Sequence, residues 1–342
     1  MDKRVLVTRE IPEAGLRPLE EFDVTVLSEK PSERDELLEA AKGAAGVLST
    51  LTENIDAEFM DAAGEDLKVV ANLAVGYDNI DFNAARERGV VVTNTPEVLN
   101  ETTADTAFML LLAAARRLGE GERIVRAGEW EAWGPKMLLG PDVWGKRLGM
   151  LGLGGIGQAL SRRAKGFGME ILYYNRSRNE EAEKELGAQY LDLDELLRTC
   201  DFFSIHTPLT EETKHLIGAP EFEKMKPEAV LVNTSRGPVV DEAALLAALR
   251  ERRIGGAALD VYGTQPLPPE HPFRGLPNVL LTPHSAGLSQ EAVVRMSTVA
   301  AEETLRILAG ARPENFTNPE AWPAAQARRR ALGHSTTGEA TA

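Results

Sequence analysis

Two of the apolar runs in the second half of the chain are followed at once by side chains that can do chemistry. Arg236 follows the run 230–233, and His284 follows the run 279–281. Ligands bind at the carboxyl ends of parallel strands, so we expect both side chains to line one crevice. A guanidinium can hold a carboxylate through two parallel hydrogen bonds, and an imidazole can give or take a proton near neutral pH. Together, these two side chains can bind a carboxylate-bearing substrate and transfer a proton to or from it.

A glycine-rich segment follows the apolar run 148–151 and precedes a helix predicted over 158–167. Its sequence is Gly152-Leu153-Gly154-Gly155-Ile156-Gly157. In this strand–turn–helix context the first glycine permits a tight turn, and the second lets the backbone approach a pyrophosphate. The third glycine lets the helix pack closely on the strand. The segment therefore predicts a dinucleotide site, with a purely structural glycine turn as the alternative.

The end of the next predicted strand distinguishes between the two nicotinamide dinucleotides. NAD sites usually have an acidic residue there, about 20 residues after the glycines, which binds the ribose hydroxyl. This chain has Asn175-Arg176-Ser177-Arg178 instead. Two guanidiniums and a hydroxyl suit a 2′-phosphate, so we predict NADP(H) as the preferred cofactor and NAD(H) as a second one. The alternative interpretation is a solvated basic turn.

Composition and charge exclude several classes of function. The chain has 342 residues, a formal net charge of −15 and one cysteine. Such an acidic chain is a poor candidate for binding nucleic acid or anionic membranes, and a single cysteine excludes an internal disulfide. The longest uncharged apolar run, 107–115, is about half as long as a membrane span. We therefore expect a cytoplasmic, two-domain protein that binds a small molecule and has no metal site.

Short β-branched runs alternate with helical patterns along most of the chain. This alternation predicts an α/β fold with parallel sheets. A long helix rich in Ala and Leu is predicted over 101–118, and a final amphipathic helix over 289–308. The last residues, 320–342, have little apolar periodicity and are predicted to form a disordered tail.

Further motifs stand in a fixed order along the chain. They are Ala71-Asn72-Leu73-Ala74-Val75-Gly76-Tyr77-Asp78, Thr93-Asn94-Thr95-Pro96, His206-Thr207-Pro208-Leu209, Asn233-Thr234-Ser235-Arg236-Gly237 and Thr282-Pro283-His284. With the glycine segment, they resemble the D-2-hydroxyacid dehydrogenase family, and within it the glyoxylate/hydroxypyruvate reductases.

The resemblance implies two doubly wound parallel-sheet domains with a cleft between them. A flavodoxin-like substrate domain is expected over 1–98 and 287–319, and a Rossmann NAD(P)-binding domain over 99–286. The segment 100–147 resembles the dimerisation arm of the family, which implies a homodimer.

The resemblance also implies roles for residues that match the family's motifs. Arg236 matches the arginine that binds the carboxylate and carbonyl of the substrate, and His284 matches the acid that protonates the carbonyl oxygen. The backbone of Val75 and Gly76 matches a loop whose amides hold the substrate carboxylate. Further cofactor contacts are implied at Thr106, Thr207 and Asp260, and at the backbone of Thr234 and Ser235.

Two positions depart from the family's pattern. Gln265 stands 29 positions after Arg236, where the family usually has the third catalytic residue, a glutamate. A glutamate favours the charged form of the neighbouring histidine, whereas glutamine can orient the ring but supplies no charge. We therefore expect His284 to be protonated less readily than in relatives. Gly155 stands where relatives often have an arginine, so one pyrophosphate contact is expected to be missing.

Two alternatives accompany the main prediction, which is NAD(P)H-dependent reduction of glyoxylate or hydroxypyruvate with His284 as the proton donor. The first is a formate-type or other 2-hydroxyacid dehydrogenase. Formate dehydrogenases of the same superfamily carry glutamine at the position of Gln265, and formate oxidation transfers hydride alone. The second is a dinucleotide-sensing, corepressor-like binding protein, which the joint presence of Arg236 and His284 disfavours.

Overall fold

The structure of the protein, a computed structural model, describes residues 4–331. The described chain folds into two compact units. The first takes the residues up to Leu99 together with those from Ser289 onward, and the second takes Asn100–Leu288. The boundaries that the sequence predicts, after 98 and after 286, differ from these by one and two residues.

The first unit is built on a five-stranded parallel sheet. Its strands are β1 (Arg4–Val7), β2 (Asp23–Val26), β3 (Ala44–Ser49), β4 (Val69–Asn72) and β5 (Val91–Thr93), in the order β2-β1-β3-β4-β5. Helices α1 (Glu13–Leu16), α2 (Arg34–Ala41), α3 (Ala57–Ala63) and α4 (Phe82–Glu87) lie between them. Separate apolar clusters form on either side of the sheet, which explains why its inner strands are apolar on both faces.

The second unit is built on a seven-stranded parallel sheet. Its strands are β6 (Arg147–Leu151), β7 (Glu170–Tyr174), β8 (Gln189–Tyr190), β9 (Phe202–Ile205), β10 (Val230–Asn233), β11 (Gly256–Leu259) and β12 (Val279–Leu281). They lie in the order β12-β11-β10-β9-β6-β7-β8. The predicted fold class, two parallel-sheet α/β domains, is therefore confirmed.

Seven helices accompany this second sheet. They are α5 (Asn100–Ala115), α6 (Leu118–Ala127), α7 (Gly155–Lys165), α8 (Glu180–Leu186), α9 (Leu193–Thr199), α10 (Ala219–Phe222) and α11 (Glu242–Arg250). The single helix predicted over 101–118 is wrong at its C-terminal end. Arg117 has φ +50°, in the left-handed region, so the chain turns there and starts a second helix. No helix within residues 4–331 is both long and apolar enough to cross a membrane.

The prediction of a disordered tail from residue 320 is wrong for the part of it that the structure describes. The chain returns to the first unit through α12 (Gln290–Ala309) and ends in α13 (Trp322–Ala331). Trp322 packs edge-on against Phe316, and the Arg329 guanidinium donates to the carbonyl oxygens of Ile307 and Leu308 at the end of α12. These contacts hold α13 in place, although the low apolar periodicity of its sequence predicted disorder. Residues 332–342 lie outside the described part of the chain.

Candidate active site

The glycine segment connects β6 to α7, as predicted, and each glycine has a different reason to be there. Gly152 has φ +105°, and a Cβ on it would lie 2.9 Å from the main chain of His206. A Cβ on Gly157 would lie 2.3 Å from the Gly152 oxygen, whereas Gly154 faces open space. The first and third glycines thus satisfy the fold, and the second leaves room for a ligand. This open backbone at the start of α7 fits a pyrophosphate.

Gly155, the position where relatives often have an arginine, faces a neighbour that the sequence did not predict. A Cβ there would lie 2.3 Å from Nδ2 of Asn100, the first residue of α5. A larger residue would have to displace this amide.

Helix α7 also starts earlier than predicted, since it begins at Gly155, and Ile156 and Gly157 lie in its first turn. The backbone N–H groups of this turn are those that a helix leaves for an anion.

Asn175, directly after β7, supports the glycine segment. Its Oδ1 accepts a hydrogen bond from the backbone N–H of Leu153 at 2.7 Å. The oxygen that stands where NAD sites have a carboxylate is therefore already used by the protein. Its structural role is to hold the turn between β6 and α7.

The two predicted phosphate-binding arginines have different surroundings. Arg178 forms two hydrogen bonds to Glu183, at 3.0 and 2.6 Å, and lies over the ring of Tyr190. The hydrogen bonds from Arg178 and from the Tyr173 hydroxyl lower the pKa of Glu183 to about 2. Arg176 is exposed and has no salt bridge within residues 4–331. The charge of Arg178 is thus compensated by a carboxylate that the sequence analysis did not single out.

Two threonine hydroxyls after β9 and β10 need a partner. Within the described residues, Oγ1 of Thr207 and Oγ1 of Thr234 are buried and have no hydrogen-bond partner. Such buried groups are costly, so a ligand that hydrogen-bonds there fits the site. The side chains at two further predicted contacts are already engaged: the Ser235 hydroxyl donates to the Thr207 oxygen, and the Thr106 hydroxyl donates to the Ala286 oxygen at 3.2 Å.

His206 stands beside Thr207 but is unsuited to carrying protons. Burial lowers its pKa to about 4, and its Nε2 lies 2.9 Å from the Ser204 hydroxyl. The ring is therefore neutral at pH 7.

Arg236 and His284 follow two strands of the same sheet that are separated by one strand. Arg236 comes after β10 and His284 after β12, with β11 between them. Because adjacent strands are about 4.8 Å apart, these two strand ends are about 10 Å apart across the sheet. The main-chain oxygen of Arg236 accepts from Asn233 Nδ2 at 2.9 Å, and its Nη1 donates to the Ser235 oxygen at 3.0 Å. The predicted carboxylate ligand and the predicted proton donor thus lie at one edge of the sheet.

The Gln265 amide is held between His284 and the main chain. Its Oε1 accepts from the backbone N–H of Tyr262 at 3.3 Å, and its Nε2 lies 3.0 Å from Nδ1 of His284. Since Tyr262 uses the oxygen, the amide nitrogen faces the ring and donates to Nδ1. A neutral imidazole that accepts at Nδ1 carries its proton on Nε2. Gln265 therefore sets the tautomer of the ring as well as its orientation.

Asp260, after β11, is fully buried and binds the loop that carries His284. Its carboxylate accepts from Thr282 Oγ1 at 2.6 Å, from Ser285 N at 2.9 Å and from Ala286 N at 2.8 Å. His284 has φ +55°, a conformation that residues with a side chain rarely adopt. Asp260 thus stabilises a strained loop, and its cofactor contact stays a prediction.

The predicted substrate loop, Val75–Gly76, follows β4 in the first unit. The buried side chain of Asn72 donates to the Gly76 oxygen at 2.9 Å, and Asn94 Nδ2 donates to the Val75 oxygen at 2.8 Å. In a trans peptide, the C=O and the N–H point in opposite directions. These two hydrogen bonds therefore direct the N–H groups of Gly76 and Tyr77 away from the asparagines. On that side an incoming carboxylate can accept hydrogen bonds from them.

Comparison with known proteins places these features in a family. Residues 108–286 match the model of the D-isomer specific 2-hydroxyacid dehydrogenase NAD binding domain. The chain is 52% identical over 323 residues to a glyoxylate reductase from Korarchaeum cryptofilum, covering 94% of this chain and 97% of that protein.

Solved structures agree with this match. A protein from Thermus thermophilus superposes with a TM-score of 0.87 at 45% identity, covering 92% of this chain and 99% of that one. An NADPH-dependent glyoxylate/hydroxypyruvate reductase from Sinorhizobium meliloti, solved with NADP and malonate, has a TM-score of 0.81 at 34% identity. That match covers 94% of this chain and 98% of the Sinorhizobium chain.

Proposed function

Because this chain belongs to the D-isomer specific 2-hydroxyacid dehydrogenase family, we propose that it reduces glyoxylate or hydroxypyruvate to the 2-hydroxy acid. NADP(H) is the preferred cofactor in this proposal, and NAD(H) is a second one. The observation that carries it is the Gln265–His284 pair, at 3.0 Å, on the same sheet edge as Arg236. The proposal is supported by relatives named glyoxylate reductase.

The reduced nicotinamide, when bound, supplies the hydride for the carbonyl carbon. The residues that hold the cofactor in this proposal are the glycines at the start of α7, the side chains of Arg176 and Ser177, and the hydroxyls of Thr207 and Thr234. The last two fit because burial leaves them in need of a partner.

Arg236 binds the substrate in this proposal. Its guanidinium can donate two parallel hydrogen bonds, to the carboxylate and to the carbonyl oxygen of a 2-oxo acid. A positive charge at the carbonyl oxygen stabilises the negative charge that develops there during reduction. The amide N–H groups of Gly76 and Tyr77 hold the carboxylate of the substrate.

In this proposal the doubly protonated, charged ring of His284 gives its Nε2 proton to the carbonyl oxygen as the 2-hydroxy acid forms, and the ring is left neutral. The hydrogen bond that Gln265 donates to Nδ1 fixes the direction of the ring before it takes up its second proton. The same hydrogen bond opposes the doubly protonated ring, which needs an acceptor at Nδ1. The chain thus orients its proton donor well but does not favour its charged form.

Replacing Gln265 with glutamate is expected to extend reduction of the 2-oxo acid to higher pH. A carboxylate beside Nδ1 stabilises the charged ring, so the rate falls off at a pH higher by about one unit or more. The measurement is the pH dependence of kcat/KM for glyoxylate. The control is Gln265→Asn, which removes the hydrogen bond without adding charge and is expected to lower the rate without raising the midpoint. An unchanged profile in Gln265→Glu would contradict the proposed proton transfer.

Preference for NADP(H) rests on Arg176 in this proposal. Its guanidinium is exposed and has no salt bridge within residues 4–331, whereas Arg178 is neutralised by Glu183. One charged guanidinium together with the Ser177 hydroxyl can still bind a 2′-phosphate. We therefore expect the enzyme to prefer NADPH but to keep measurable activity with NADH.

A formate-type reaction is the second candidate, because the Gln265 amide supplies no charge to His284 and formate oxidation needs no proton transfer to an oxygen. The deciding experiment is a set of steady-state rates: NADPH and NADH with glyoxylate, hydroxypyruvate and pyruvate, and NADP⁺ and NAD⁺ with formate. The highest kcat/KM is expected for NADPH with glyoxylate or hydroxypyruvate. Equal efficiency with NADH would contradict the cofactor preference, and turnover of formate alone would contradict the reaction. NADPH binding without any turnover would favour a corepressor-like sensor.

We also propose that the chain forms a homodimer through the arm at 100–147. Within this segment Trp130, Trp133 and Trp144 are each more than half exposed. Soluble monomers rarely expose several large apolar side chains in one segment, and tryptophan is typical of interfaces. Light scattering is expected to give twice the mass of 37.2 kDa. A monomer at micromolar concentration would contradict this proposal.

A further inference from the structure

The first unit contains a buried carboxylate that the proposed reaction does not use. Glu53 lies in the loop after β3 and is 7% exposed. One carboxylate oxygen accepts from Arg9 Nε and Thr52 Oγ1, both at 2.7 Å. The other accepts from Thr8 Oγ1 at 2.9 Å and from the backbone N–H and hydroxyl of Thr50, at 2.9 and 2.8 Å.

These contacts keep Glu53 ionised. Burial alone would raise the pKa of its carboxyl group, but the hydrogen bonds from Arg9 and from the threonines outweigh burial and lower the pKa. A buried ion pair is a poor source of net stability, because both ions lose their hydration. The Arg9–Glu53 pair has a more specific effect on the shape of the loop, since the chain at 50–53 folds back around the Glu53 carboxylate.

The folded loop presents two main-chain carbonyls to one side chain. Nδ2 of Asn79 donates to the Thr50 oxygen and to the Glu53 oxygen, both at 3.0 Å. The backbone oxygen of Asn79 in turn accepts from Ile55 N at 2.9 Å. Asn79 is therefore tied to the Glu53 loop by its side chain and by its main chain.

Asn79 ends the loop that begins with Val75 and Gly76. Its Oδ1 lies 3.5 Å from Nδ2 of Asn72, and the same Nδ2 donates to the Gly76 oxygen at 2.9 Å. The Ser49 hydroxyl donates to Oδ1 of the same Asn72 amide at 3.1 Å. A continuous set of contacts thus leads from the buried carboxylate to the peptide that turns the Tyr77 N–H outward.

We propose that Glu53 is a positioning residue for the substrate loop, acting through Asn79 and Asn72. The inference rests on the proposed function, in which the amides of this loop hold the substrate carboxylate. Loss of the Glu53 charge changes the loop at 50–53, since a glutamine in its place would direct an N–H group at donors such as Thr50 N. The two carbonyls that hold Asn79 then move, and the substrate amides lose their alignment.

The test compares Glu53→Gln with Glu58→Gln. Glu58 lies in the same unit and also pairs with an arginine, Arg34, at 2.8 Å, but it is exposed and lies outside this set of contacts. Glu53→Gln is expected to raise KM for glyoxylate by about tenfold, because small misplacements of binding groups are costly. KM for NADPH and kcat are expected to stay within about threefold of the parent values, and Glu58→Gln is expected to change none of them.

A second readout needs no substrate. Amide hydrogen exchange of a peptide covering 73–80, measured by mass spectrometry, is expected to speed up about tenfold in Glu53→Gln and not in Glu58→Gln. Asn79→Ala, which leaves the Arg9–Glu53 pair in place, is expected to reproduce both effects and covers the case in which Glu53→Gln fails to fold. Lower thermal stability with unchanged KM and unchanged exchange in these variants would overturn the proposal. If the parent protein does not turn over any 2-oxo acid, the proposed function fails, while the exchange measurement still decides whether Glu53 orders the loop.

Discussion

Replacing His284 with asparagine is expected to lower kcat for glyoxylate reduction by about 10²- to 10⁴-fold, the usual range for loss of a general acid. Asparagine suits this test because it tolerates a positive φ better than most residues, and His284 has φ +55°. The loop and its bonds to Asp260 are therefore kept, and only the imidazole is lost. The measurement is kcat at saturating glyoxylate and NADPH.

The matched control for this variant is His215→Asn. His215 also has φ +55°, but it is exposed and lies in a different loop of the second unit. The His215→Asn variant is expected to keep kcat within about twofold of the parent value, as is usual for surface substitutions. If His284→Asn keeps kcat within about tenfold of the parent, the histidine is not the proton donor.

Replacing Arg236 with glutamine is expected to lower kcat/KM for glyoxylate by about 10²- to 10³-fold. The guanidinium is the group proposed to bind the substrate carboxylate, and loss of one partner of a buried charge pair costs about 2 to 5 kcal/mol. Arg236→Lys keeps the charge but not the planar fork, so a smaller loss is expected. Steady-state kinetics with glyoxylate at fixed NADPH measure both.

Arg250→Gln is the control for the Arg236 variants, since Arg250 is an exposed residue at the end of α11. Its kinetics are expected to match those of the parent protein. An unchanged KM for glyoxylate in Arg236→Gln would show that another group binds the carboxylate. In that case Arg236 and His284 would lie at the same sheet edge without both acting on the substrate.

The strands and the glycine turn could be predicted because their signals are local. Runs such as 148–151 and 230–232 are apolar at consecutive positions, as expected for strands that are buried on both faces. Parallel strands carry their ligands at their carboxyl ends, so the residue after each run was a candidate without any knowledge of the packing. For this reason Arg236 and His284 were identified together.

Helix ends and the C-terminal helix were predicted less well, because they depend on distant contacts. α13 is held by Arg329, whose guanidinium binds carbonyl oxygens 22 and 21 residues earlier in the chain. The low apolar periodicity of residues 320–342 predicted disorder there. Likewise, the turn at Arg117 depends on a left-handed backbone conformation that no apolar pattern reveals.

Electrostatic partners were the main feature that the sequence did not reveal. The basic run at 176–178 suggested two free guanidiniums, but α8 brings Glu183 against Arg178. The acidic Glu53 was one of 53 carboxylate side chains in the chain, and only the fold surrounds it with five donors.

By itself the sequence determined which side chains follow which strands, and thereby the family and the candidate chemistry, since residue type and short spacing are local properties. Only the tertiary structure decided how those side chains are used. The Gln265 amide faces His284 with its nitrogen because Tyr262 occupies its oxygen, and the loop of His284 keeps its strained conformation because the buried Asp260 binds it. Hydrogen-bond direction, backbone strain and charge compensation depend on partners that only the folded chain brings into contact.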